Sequence, residues 1–171
     1  MIILLGLILI VVVFFTVFFG APYVPTKIRD VRIAFNDICK LTPKDVVLDL
    51  GSGDGKVLRE VSRRGAKAVG YELHPILVGI TKLLSRHDKN VQVKLGNFWH
   101  MTFPSNTTVV YLFGDSRDIL RMTKKIESEA LRLKRELRVL SYGFELPGHT
   151  IAKSAGAHNL YVFQPLHYKK A

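Results

Sequence analysis

The residues with the clearest chemical pattern lie between positions 46 and 72. An apolar run, Val46-Val47-Leu48, leads into Asp49-Leu50-Gly51-Ser52-Gly53-Asp54-Gly55 and then into Lys56-Val57-Leu58. Glycines at alternate positions between a strand and a helix permit positive φ and a close approach of backbone N–H groups to a ligand. At the carboxyl end of a first strand, such a turn forms a nucleotide-type pocket. The spacing Gly-x-Gly-x-Gly is not the Gly-x-Gly-x-x-Gly of dinucleotide binders, and no Walker lysine is present to meet a phosphate. Asp49 stands two residues before the first glycine, and a carboxylate there favours a cationic or hydroxyl-rich ligand over a pyrophosphate. A second apolar run ends in Gly70-Tyr71-Glu72, which places another carboxylate where it can accept both hydroxyls of a ribose. The histidines (His74, His87, His100, His149, His158 and His167) show no metal-ligand spacing, and Cys39 is the only cysteine. Neither a metal site nor an internal disulfide is expected.

These residues need a sheet to hold them, and the flanking pattern supplies one. Apolar strand-like runs at 46–50, 68–71, 91–95, 109–113 and 138–142 alternate with amphipathic stretches at 56–64, 75–86 and 117–135. That alternation predicts a parallel α/β sheet with helices on both faces. Beyond Gly143, runs at 150–153 and 160–163 with Gly156 between them predict a terminal antiparallel hairpin, and so a mixed sheet edge. Before the first strand, Thr26 reads as the N-cap of a helix reaching Lys40, with Ile28, Val31, Ile33, Phe35 and Ile38 as its apolar positions. Within 117–135, Ile119, Met122, Ile126 and Leu133 recur at helical intervals, so the many charges between them are expected to form a solvated face.

Residues 2–19 carry no charge, and only Gly6 and Thr16 among them are not Ile, Leu, Val or Phe. As a helix this run is about 27 Å long, close to the hydrocarbon thickness of a bilayer. Its insertion is favoured by roughly 5–10 kcal/mol. A transmembrane helix over 2–20 and a proline-containing linker over 21–26 are therefore expected, followed by one domain over 27–171. The run lacks the positive n-region and small-x-small site of a cleaved signal peptide, and it lacks the arginines of a mitochondrial transit peptide. Lys27, Arg29 and Arg32 follow it directly, so a single-pass protein with its domain on the cytoplasmic or equivalent inner face is expected. The chain of 171 residues has a formal net charge of +11, and every charge lies beyond the apolar run. An anionic partner suits that balance, whether a lipid surface, an acidic protein or RNA.

With Asp49, the glycine loop and Glu72 in this strand, loop and helix context, the chain resembles the class I S-adenosyl-L-methionine-dependent methyltransferases. The resemblance implies a Rossmann-like sheet and the cofactor S-adenosyl-L-methionine. It implies that Asp49, Gly51, Ser52, Gly53, Asp54 and Gly55 hold the methionine and ribose portion, with Glu72 on the ribose hydroxyls. Leu95-Gly96-Asn97-Phe98 matches the loop after the third strand that contacts adenine in that class, so Asn97 and Phe98 join the cofactor-binding set. Many relatives have Asp at the position of Asn97, whose amide still offers an acceptor and donors. The order Pro22-Tyr23-Val24-Pro25-Thr26, Asp49 to Gly55, Gly70-Tyr71-Glu72-Leu73-His74-Pro75 and Asn97-Phe98-Trp99 behind one apolar helix is similar to a narrower group. These are the single-span lysine methyltransferases of the ATP synthase c subunit and the adenine nucleotide translocase. That likeness implies that Tyr23 and Thr26 line the methionine end of the cofactor pocket and that Trp99 lies near the acceptor. The segment Phe113-Gly114-Asp115-Ser116 departs from the group.

The expected chemistry is methyl transfer to a lysine of a protein at or in the membrane. Transfer from a sulfonium is an in-line displacement, so the protein mainly supplies position and a deprotonated nucleophile. Deprotonating a lysine of ordinary pKa at neutral pH costs roughly 4–5 kcal/mol, and burial beside a positive sulfonium lowers that cost. Asp115 is the candidate to accept the proton or steer the amine; it reads equally well as a helix N-cap. An RNA acceptor is the main rival. Enzymes of this fold that methylate exocyclic base amines carry Asn/Asp-Pro-Pro-aromatic after the fourth strand, where this chain has Gly114-Asp115-Ser116. Small-molecule or lipid acceptors, and a non-catalytic cofactor-binding role, are the remaining alternatives.

Overall fold

The structure is a computed structural model that describes residues 26–113 and 118–165, together with Gly6. Five strands, β1 (Val46–Leu50), β2 (Lys67–Glu72), β3 (Val91–Leu95), β4 (Val109–Phe113) and β5 (Leu137–Tyr142), are parallel, and β6 (Lys153–Ala155) and β7 (His158–Phe163) form an antiparallel hairpin. The sheet order is β3-β2-β1-β4-β5-β7-β6. β1 and β4 lie side by side although β2 and β3 separate them in sequence, so the sheet changes direction between them. Open α/β sheets bind ligands at the carboxyl ends of the strands beside such a switch point.

The central strands are mostly apolar because helices cover both faces. Every residue of β1 is buried. On one face Leu48, Leu50, Val110, Leu112 and Val139 pack beneath Met122, Ile126 and Ala130 of α4 (Ile119–Leu133). On the other, Val47, Ala68, Tyr111 and Leu140 pack beneath α1 (Ile28–Ile33) and α2 (Lys56–Ser62). The helix α3 (Pro75–Leu84) joins β2 to β3, turning Val78 and Thr81 inward. The predicted mixed sheet and terminal hairpin are thus present, with β6 starting later and β7 earlier than the apolar runs suggested.

The first helix differs from expectation. It is α-helical only over Ile28–Ile33, then widens into a π-helical turn, Ala34–Ile38, closed by a hydrogen bond from the Cys39 N–H to the Ala34 carbonyl at 2.9 Å. The wider turn lets Ala34, Phe35, Ile38 and Cys39 all reach the sheet. Thr26 does not cap it. Lys27 occupies the N-cap position without a side-chain bond, while the Thr26 hydroxyl is hydrogen-bonded to the Tyr111 hydroxyl. Among the described residues no helix is long and apolar enough to cross a membrane. The predicted span and linker, residues 2–25, lie outside the described residues apart from Gly6.

Candidate functional site

The carboxyl end of β1 turns through Gly51, Gly53 and Gly55, whose φ angles are 88°, 55° and 76°. Only glycine occupies that region without strain. The sequence pattern suggested that the N–H groups of this loop would be offered to a ligand. Four of them instead have acceptors within the protein. Gly51 and Ser52 both donate to the Tyr71 carbonyl at 2.9 and 3.1 Å, Gly55 donates to the Ser52 carbonyl at 2.9 Å, and Gly53 donates to Glu72 Oε2 at 2.8 Å. The loop is therefore shaped by β2, and its contribution to a ligand is a floor without side chains. A Cβ built on Gly51 meets nothing within 4 Å, so any larger residue there projects into the open site.

Register puts two acids at this floor, and the loop itself adds a third, Asp54. Asp49 pairs with Gly70 of β2 and Tyr111 of β4, and the two-residue alternation places Asp49, Tyr111, Gly70 and Glu72 on the face covered by α1 and α2. Glu72 is 9% exposed; besides the Gly53 N–H it accepts the His74 N–H on Oε1 at 2.8 Å. Each oxygen retains a lone pair for a hydroxyl donor. Asp49 is 3% exposed, and burial first, then the charges of Glu72 and Asp54, push its carboxyl up to about 8. Asp54 opens α2 by accepting the Lys56 N–H at 3.2 Å. The buried Ser52 hydroxyl has no hydrogen-bond partner among the described residues. A cleft with three converging carboxylates, one of them raised by burial and then by the charges of the others, suits a ligand that carries positive charge and hydroxyls.

After β3, the Asn97 side chain accepts the Trp99 N–H at 3.0 Å and starts a short 3₁₀ turn, Phe98–His100. The amide oxygen expected to face an adenine is thus engaged, and the NH₂ group remains as donor. Phe98 and Trp99 rings lie 4.8 Å apart, with the Arg121 guanidinium 4.2 Å over the Trp99 ring. Trp99 therefore packs toward α4.

Four residues escaped the sequence reading. Thr81 of α3, fully buried, donates to the Gly53 carbonyl at 3.0 Å and so ties the glycine loop to the next helix. The others, with Thr26, gather where β4 and β5 end. Tyr142 donates to Asp30 Oδ2 at 2.9 Å and stacks on Phe113 at 5.3 Å, and Phe113 is 37% exposed. The hydrogen bond to Asp30, then burial, holds the Tyr142 hydroxyl above its ordinary range. Behind them the Tyr111 hydroxyl lies 3.0 Å from His158 Nε2. Asp30 gave no signal because its partner lies 112 residues away. Tyr23 and Asp115 lie outside the described residues.

Residues 49–153 match the family model described as the ANTKMT methyltransferase domain. The chain belongs to this methyltransferase family. It is 33% identical over 135 residues to a protein-lysine N-methyltransferase of Saccharolobus islandicus, covering 74% of this chain and 79% of the relative. It is 29% identical over 133 residues to the Homo sapiens lysine N-methyltransferase of the ATP synthase c subunit, with 75% of this chain covered. The chain spans 54% of that human relative's length. An RNA methyltransferase from Salinibacter ruber, crystallised with S-adenosyl-L-homocysteine, superposes with a TM-score of 0.70 at 22% identity, over 86% of this chain and 98% of that one. At that identity the likeness is one of fold. Fold and family are those of the S-adenosylmethionine-dependent methyltransferases, as the glycine loop and its two acids implied.

Proposed function

We propose that this protein is a membrane-anchored S-adenosylmethionine-dependent methyltransferase acting on a lysine of a protein in or beside the membrane. The observation that carries the acceptor assignment is the Asp30, Tyr142 and Phe113 cluster at the ends of β4 and β5, a carboxylate and two rings at one partly exposed edge of the site. A carboxylate attracts an ammonium group, and aromatic faces favour a cationic or alkylated amine. The lysine-modifying relatives support the same reading. The uncharged run at 2–19 supports the anchor, and the basic residues after it support a domain on the inner face.

The residues fit the cofactor. Asp54 supplies negative charge for a sulfonium or an α-ammonium group, Asp49 adds to it once a bound cation favours its ionised form, Glu72 keeps one acceptor position per oxygen for ribose hydroxyls, and Gly51 leaves room for the ligand. Bound there, S-adenosyl-L-methionine supplies a methyl group already activated for displacement. Asp30 and the Tyr142 hydroxyl then hold the acceptor nitrogen near the switch point, and Phe113 and Tyr142 shield it from water. Exclusion of water lowers the cost of the uncharged amine.

Purified full-length protein incubated with membranes and methyl-labelled cofactor is expected to label a protein band that protease removes and RNase does not. The reverse sensitivity establishes the RNA reading instead, and label extracting with lipid establishes the lipid one. Asp30→Asn and Tyr142→Phe are each expected to lower kcat/KM by about 10- to 100-fold while calorimetric cofactor affinity stays within error. Unchanged kcat/KM in both variants rejects the acceptor assignment.

A further inference from the structure

The outward face of α3 is apolar. Ile76, Ile80, Leu83 and Leu84 are 48%, 38%, 62% and 55% exposed, and their spacing of four, seven and eight residues puts them on one stripe. Val78, Thr81 and Ser85 occupy the opposite, buried side. Leu73, before the helix, and Leu95, at the end of the edge strand β3, extend the patch toward the carboxyl ends of the strands, at 38% and 57% exposed. A soluble helix normally turns such a stripe to the core and charges to water; here the buried side offers Val78, Thr81 and Ser85, and Ile76, Ile80, Leu83 and Leu84 face outward. The same helix and the turn that follows it carry exposed Lys82, Arg86 and Lys89. The nearby acids are engaged: Asp88 accepts from the Ser62 hydroxyl at 2.9 Å and from the Asn90 N–H at 3.0 Å, and Glu72 is occupied within the site.

We infer that this face of α3, with Leu73 and Leu95, lies in the headgroup layer of an anionic bilayer. Apolar side chains flanked by lysine and arginine suit that boundary, because the leucines enter the acyl region while the cations meet lipid phosphates. A protein partner with an apolar groove has no need of the surrounding cations; anionic lipid uses both features. The inference rests on the membrane-anchored reading and adds an orientation to it. Glu72 immediately precedes Leu73, so docking through α3 holds the mouth of the cofactor site at the bilayer surface rather than swinging free on its linker. An acceptor lysine close to the headgroups is then within reach.

The test uses the full-length protein carrying an environment-sensitive fluorophore on Leu83→Cys or, as control on the opposite face of the sheet, on Ser128→Cys, which replaces an exposed residue of α4. The native Cys39 is 1% exposed, and burial pushes its thiol up to about 11, so it stays unlabelled. After reconstitution from detergent into phosphatidylcholine and phosphatidylserine vesicles, the label at 83 is expected to shift to the blue. It should be quenched by nitroxides carried on lipid chains and not by a water-soluble quencher, with the label at 128 behaving oppositely. Similar responses at both positions overturn the inference. So does a label at 83 that is shielded from the water-soluble quencher yet not quenched by the lipid-borne nitroxides, which assigns the face to the chain's own apolar segment or a second copy. An equal shift in phosphatidylcholine alone overturns the anionic part. Failure of the full-length protein to incorporate into vesicles overturns the anchor as well, and is read separately by flotation.

Discussion

Asp49 has ligand-free surroundings that oppose its charge: it is enclosed at the end of β1, and Glu72 and Asp54 repel its carboxylate. Its folded-state pKa of about 8 lies above the ordinary value of about 4, so between these pH values the folded protein binds more protons than the unfolded chain. Stability therefore falls as pH rises through this window. Asp49→Asn is expected to raise the melting temperature of the free protein at pH above 8 and to flatten the slope. Cofactor binding runs the other way, because a cationic ligand favours the ionised acid. Wild-type affinity is expected to strengthen toward pH 8 in calorimetry, with proton release into the buffer; the Asp49→Asn variant loses both the slope and the release. Glu72→Gln makes a different prediction. One of the two N–H groups from Gly53 and His74 loses its acceptor, at a cost of about 1–3 kcal/mol, so thermal stability and cofactor affinity fall together. Unaltered melting and affinity in this variant remove the site from Glu72.

At the scale of elements, the surprise is α4. Its charges were expected to form a solvated face, yet three of them clamp the loop after β3. Lys125 donates to the Met101 carbonyl at 2.8 Å, Arg132 donates to the Phe103 carbonyl at 2.6 Å, and the buried Glu129 accepts the Phe103 N–H at 3.2 Å. Burial, opposed by Glu129 and aided by Arg132 and Arg121, lowers the pKa of the Lys125 ammonium. Lys125→Met is expected to destabilise by about 1–2 kcal/mol and to weaken cofactor binding, since Asn97 and Phe98 begin the same loop. Thr81 acts similarly from α3 on the glycine loop. Periodicity could not separate these residues from solvated ones, because a helical repeat reports which residues face the sheet and is silent on a loop that folds across the helix flank. The reverse holds for Gly70. A Cβ there collides with Ser52 and, at 2.7 Å, with Leu58 Cδ1, so Gly70→Ala is expected to cost about 1–3 kcal/mol in denaturant unfolding.

In the whole molecule, the two faces of the sheet have divided roles. The α4 face is largely structural, while the α1 and α2 face carries Asp49, Glu72, Tyr111 and Tyr142 above one core. His158 shows what this layering does to a titratable group. It is fully buried against Tyr111 and Tyr142, and burial lowers its pKa to about 4. With an unfolded value near 6.5, it contributes stability that is fully present above that pH and is lost as pH falls through about 4. A chemical-denaturation series is expected to show this loss, and His158→Phe is expected to remove it while leaving the Tyr111 hydroxyl without that partner.

The sequence alone was enough for the parallel strands, the terminal hairpin and the placing of Asp49 and Glu72 beside the glycine loop. Each is a local signal: alternating elements announce themselves by period, and the glycine loop lies between adjacent elements whose order sets its position. The Asp30, Tyr142 and Phe113 cluster, the α4 clamp and the exposed stripe of α3 came only with the tertiary structure. Asp30 and Tyr142 stand far apart in the chain and meet because β4 and β5 extend the sheet beside β1 under the first helix. The stripe of α3 is recognisable only once the edge of the sheet leaves it uncovered. Which apolar face finds a partner depends on where a helix sits in the sheet, and a helix at the edge has neighbours on one side only.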